Sequence, residues 1–101
     1  MKKPRTLSEE YITKKLTEAK AHERRGDLDQ RNAVGWYLLN NAPKVTYGDN
    51  TVETWFNRPE RSYVTQTKDA AGSQIGESNY SGNRADASAY HLFALWELFF
   101  I

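Results

Sequence analysis

The chain has 101 residues with no cysteine, three prolines and six glycines, and 39% of it is hydrophobic and 13% aromatic. It is near the lower size limit for one self-sufficient core and too apolar for a disordered chain. The absence of cysteine excludes a disulfide framework and a thiolate metal site, and His22 and His91 lie too far apart in sequence to suggest a zinc site or a histidine-based triad. The net charge of +1 hides an asymmetry, because residues 1–25 hold eight basic side chains against four acidic ones, a balance of +4 that leaves −3 for the rest. A basic first quarter on a mildly acidic body suits either a solvated helix or contact with an acidic partner.

The first element reads as a helix. Thr6 with Glu9 has the spacing of a capping box, and Leu7, Tyr11, Ile12, Leu16 and Ala19 follow at helical intervals. Gly26 supplies a stop, and Asp27 with Gln30 repeats the capping pattern for a second helix. Its expected buried face is Leu28, Val34, Tyr37 and Leu38, with Trp36 beside them, and Gly35 is a cost of about 1 kcal/mol against alanine. Asn40, Asn41 and Pro43 end it. After Pro43 the residues become β-branched and aromatic. Residues 44–47 form a short candidate strand and residues 51–56 an alternating one. Residues 61–68 follow, with Tyr63, Thr65 and Thr67 on one face and Ser62, Val64 and Gln66 on the other. Asp69 to Gly72 is hairpin chemistry leading into residues 74–80. Asn83 is a good N-cap, and the alanines and large apolar residues from Ala85 to Phe100 mark a long last helix.

The expected architecture is therefore α+β, in the order α-α-β-β-β-α. A small antiparallel sheet of three or four strands has the C-terminal helix on one face. The longest apolar stretch, LFALWELFFI, carries Glu97 and is too short to span a bilayer, and the first ten residues lack a signal-like apolar region. A soluble cytoplasmic protein with no membrane partner is expected.

Chemistry is sparse. His22 lies among charged residues at the exposed end of the first helix. His91 interrupts an apolar helix and is the better candidate base, but with Arg84 and Ser88 it also forms a polar stripe that solvent would satisfy. No nucleophilic triad, phosphate-binding glycine loop or metal-spaced ligand set is present, so an enzyme is the least supported class and no cofactor is implied. The aromatic residues suggest binding instead. Trp55, Tyr63 and Tyr80 fall on three neighbouring strands, and with Arg58, Arg61 and Arg84 they are the candidate partner-binding set. The alternative is that Tyr63 and Phe56 face the last helix as core. On that helix a second face of Tyr90, Ala94, Leu98 and Ile101 must meet either the helix pair or another copy of the chain, which makes a homodimer an expectation too.

Two resemblances follow from these residues. RSYVTQTKDAAGSQIG followed by RADASAYHLF, within about residues 50–95, resembles small accessory proteins encoded by tailed phages and prophages. That likeness implies a protein that works by binding a host protein or complex, including inhibitors of host defence or of nucleic-acid machinery. The order helix, three antiparallel strands, helix is similar to the double-stranded-RNA-binding domain, with GSQIGESNYSGNRADASAYHLFALWEL in the place of its third strand and final helix. Where that family clamps phosphates with lysines, this chain has Asn83, Arg84 and Asp86, of which only Arg84 is cationic. Nucleic-acid binding is therefore the second expectation, behind protein binding.

Overall fold

The computed structural model describes residues 7–100. Helices α1 (Glu9–Arg24) and α2 (Leu28–Asn41) are followed by strands β1 (Lys44–Tyr47), β2 (Asn50–Asn57), β3 (Ser62–Lys68) and β4 (Gln74–Ser81) and by helix α3 (Arg84–Phe100). The fold is α+β. The four strands lie in the order β1-β2-β3-β4, every pair antiparallel, so residues 44–47 do form the fourth strand.

Local chemistry accounts for the boundaries. Thr6 lies outside the described residues, and the N-cap of α1 is Ser8, whose hydroxyl accepts from the Tyr11 N–H at 3.1 Å. Gly26 ends α1 with φ +76°, and the Asp27 N–H donates back to the His22 carbonyl at 2.9 Å, which satisfies a carbonyl the helix leaves open. Asp27 then caps α2 through the Gln30 N–H. Asn83 caps α3, its side-chain oxygen accepting from the Asp86 N–H at 2.8 Å.

α3 crosses one face of the sheet, and the α1–α2 pair packs against α3. A single cluster joins Ile12, Leu16, Leu38, Val45, Val52, Leu92, Leu95 and Trp96 across all these layers. The Trp96 indole N–H donates to the Leu16 carbonyl at 3.0 Å, so the polar edge of the largest core side chain is satisfied. Gly35 is buried where α2 meets α3. A Cβ there would lie 3.0 Å from the Ser88 carbonyl oxygen, so the helix crossing requires the missing side chain.

Several burial expectations need correction. Leu28 is 47% exposed, because it sits in the first turn of α2 where no other element reaches to cover it. Trp36 and Tyr11 are also exposed, each lying off the stripe that its helix buries, and Leu39 is buried in their stead. Of the expected solvated stripe on α3 only Arg84 is exposed: Ser88 and His91 are both fully buried, since that side of the helix faces α2 and β2.

Candidate functional site

The register of the sheet separates its aromatic residues onto two faces. Thr54 and Thr65 pair across β2 and β3, and the Thr54 hydroxyl reaches His91 on α3, so their face is the covered one. The next rung, Trp55, Val64 and Tyr80, must then point the other way, away from all three helices. Trp55 is 38% exposed and Tyr80 61%, while Val64 between them is 2% exposed. With no helix on that face, the valine is covered by the rings on either side of it. The result is an aromatic-aliphatic rung on an otherwise polar surface, which carries the Glu53–Lys68 ion pair at 3.1 Å and the Thr46–Thr51 hydroxyl pair at 2.8 Å. The Lys68 ammonium also lies 5.8 Å from the Trp55 ring.

Tyr63 is on the opposite face. It pairs with Phe56 in register, and the two rings meet edge to face with centroids 5.0 Å apart. The sequence reading that puts Tyr63 and Phe56 on the helix side of the sheet holds for the side, but neither ring joins the core. Their rung lies near the N-terminal end of α3, however, and Phe56 stays 47% exposed instead of joining the core. The Arg84 guanidinium sits 5.9 Å from the Tyr63 ring and donates to the Asn40 side-chain oxygen, which ties the start of α3 to the end of α2. Arg58 and Arg61 occupy the β2–β3 turn, closed by the Arg61 N–H donating to the Arg58 carbonyl at 3.1 Å. Arg61 holds a left-handed φ of +51°, a region that favours glycine.

The six candidate residues therefore gather at one end of the sheet without sharing a face. Trp55 and Tyr80 are on the open side, Tyr63 and Arg84 on the helix side, and Arg58 and Arg61 at the tip between. The role of Val64 as the covered centre of the rung, and of Phe56 as the exposed neighbour of Tyr63, escaped sequence reasoning. The four-residue turn that sets the β2–β3 register was the available signal.

The stripe on α3 is placed differently from expectation. Ala94 and Leu98 are half-buried against the chain's own core, and Tyr90 borders a groove of about 290 Å³ between α3 and strands β3 and β4. They face the sheet, and neither the helix pair nor open solvent is their main neighbour. Ile101 lies outside the described residues.

His91 is bound on both ring nitrogens. Nε2 lies 2.8 Å from the Ala42 carbonyl, which can only accept, so Nε2 carries the proton. Nδ1 then accepts from the Thr54 hydroxyl at 2.8 Å, and Thr54 accepts from Thr65 at 2.8 Å. Burial pushes the His91 pKa down to about 4, only partly opposed by the bond to Ala42. A fully buried, doubly bonded neutral imidazole holds three elements together and has no open side for a substrate. Among the described residues no group of three or more His, Asp or Glu side chains could hold a metal ion, and no helix is long and apolar enough to cross a membrane.

Comparison with known protein families, with curated proteins and with solved structures finds no match to this chain.

Proposed function

We propose that this chain is a non-enzymatic accessory protein of the phage type, acting in the cytoplasm by docking the open face of its sheet onto a host protein or complex. The observation that carries this reading is the Trp55–Val64–Tyr80 rung on a face that no helix covers. Tryptophan, tyrosine and arginine dominate protein-binding hot spots because they bring large rigid area and planar charge at low entropic cost, and Arg58 and Arg61 stand at the tip beside the rung. The test is affinity capture from a bacterial lysate with tagged wild-type protein and with the Trp55→Ala/Tyr80→Ala variant. A host protein or complex retained by the wild type and lost with the variant is expected. Equal retention by both would remove the rung from the interaction.

A second reading, a nucleic-acid-binding module, draws on Arg58, Arg61 and Arg84 at the same end of the sheet as the exposed ring of Phe56 and the half-buried ring of Tyr63. It ranks lower because Glu60 sits in the same turn as the two arginines and Lys68 is already paired with Glu53, so few cations remain for phosphates. Fluorescence anisotropy with single-stranded and duplex oligonucleotides at low and moderate salt separates the two readings. Phosphate binding releases counterions and must weaken steeply as salt rises.

A further inference from the structure

On the helix side of the sheet, α3 leaves most of β4 exposed, and a groove runs between α3 and the β3–β4 hairpin. Two cavities of about 290 and 280 Å³ share Thr67, Ile75, Gly76, Ala94 and Glu97, which makes the groove continuous. Each is near the lower end of the volumes that take small ligands. The charged side chains along it are Glu77 and Glu97, and no lysine, arginine or histidine lines it. Neither carboxylate has a hydrogen bond or ion pair among the described residues. Glu97 also stands in the last turn of α3, which holds no basic residue, so the negative end of the helix dipole adds to its charge. Arg31, which lies 5.4 Å from the Phe93 ring at the groove wall, is already held by Glu23 and the Asn32 side chain.

The floor gives an independent indication. Thr65 lines the first cavity and is only 2% exposed. The polarity of its hydroxyl is fixed from the far end of the His91 chain. The Ala42 carbonyl accepts from Nε2, Nδ1 takes the Thr54 proton, and the Thr54 oxygen takes that of Thr65. Thr65 has thus used its one proton, and no donor among the described residues reaches its oxygen. A buried acceptor without a donor is costly, and a ligand that brings an N–H into the groove would satisfy it. Acceptors at the floor and carboxylates at the rim both select a positively charged donor, while Ile75, Ala94 and Leu98 offer hydrocarbon between them.

We propose that this groove binds a free linear aliphatic diamine or polyamine. One ammonium is held at the Thr65 and Glu77 end, the methylene stem lies along Ile75 and Ala94, and a second ammonium meets Glu97. A bare divalent cation would gain nothing from the hydrocarbon strip and would find too few oxygen ligands in two carboxylates. The groove is on the opposite side of the sheet from the Trp55–Val64–Tyr80 rung, so the proposal does not depend on what the open face binds.

Titration of the full chain with cadaverine, followed by calorimetry and by amide NMR, tests it. Cadaverine is expected to bind about tenfold tighter than pentylamine, which has the same stem and one charge fewer. The amide shifts should concentrate on β3, β4 and the second half of α3. Glu77→Gln and Glu97→Gln, both at exposed positions that the fold tolerates, are each expected to weaken cadaverine about tenfold. No binding of cadaverine, binding indifferent to both substitutions, or the same shifts produced by magnesium ion at equal concentration would overturn the proposal. Nα-acetyl-lysine amide binding as tightly as cadaverine would also overturn it, because the groove would then belong to a lysine side chain of a partner.

Discussion

His91 and Arg61 show how single residues carry costs that only their surroundings explain. The imidazole is held neutral by burial, with its pKa lowered from 6.5 to about 4, so the unfolded chain binds the proton more readily between those values. Stability must then fall as pH drops through that window, by about 3 kcal/mol in full, with the His91 contribution intact above pH 6.5. Thermal melts from pH 7.5 to pH 4 should show this slope, and His91→Gln should flatten it relative to wild type. Replacing the ring by leucine leaves the Thr54 hydroxyl and the Ala42 carbonyl without their partner and should cost about 2–3 kcal/mol at pH 7. Arg61 presents the reverse case. Its left-handed backbone is roughly 1 kcal/mol unfavourable for a residue with a Cβ, and glycine would relieve that strain. Arg61→Gly is therefore expected to raise the denaturant midpoint slightly while weakening partner capture. A fall in stability would mean that the arginine side chain supports the turn.

Among the elements, the α2–α3 crossing is close enough at Gly35 that an added Cβ would lie 3.0 Å from the Ser88 carbonyl oxygen. Gly35 lets the α2 backbone approach Ser88 and Leu92 on α3, and the same approach brings the end of α2 close enough for the Ala42 carbonyl to accept from His91. Gly35→Val has to push the Ser88 carbonyl away and should cost about 2–3 kcal/mol by overpacking, against which the better helix propensity offsets well under 1 kcal/mol. Urea titration measures it directly. The far-UV spectrum is expected to stay native, because the strain lies between the helices and not within one.

For the whole molecule, the arrangement of layers decides what is left for binding. α3 is buried on two sides, by the sheet and by the α1–α2 pair, and the apolar side chains the helices leave exposed, among them Leu28, Trp36 and Phe93, are spread over different helices. The opposite face of the sheet has no helix over it and carries Tyr80, the most exposed of the large apolar side chains among the described residues. If the open face is the docking surface, truncating Tyr80 to alanine should weaken partner capture by about thirtyfold, near 2 kcal/mol, in the range of a hot-spot residue. Its effect on the melting temperature should be small, since Tyr80 is mostly solvated in the free chain.

Much of this was legible in the order of residues. Helix ends depend on short-range chemistry, so Gly26, Asp27 and Asn83 marked them correctly, and the alternation of residues 62–67 assigned the two faces of β3 because side-chain period in a strand is local. Tertiary structure alone decided which face of the sheet α3 covers, and hence that Tyr63 and Trp55 point in opposite directions, because the alternation fixes which residues share a face but not which face is buried. It also decided that His91 is interior. In sequence a histidine beside serine and arginine at helical spacing has the pattern of a solvated stripe. Only the arrival of Thr54 from β2 and the Ala42 carbonyl from α2, 37 and 49 residues away, supplies the two hydrogen bonds that make its burial affordable.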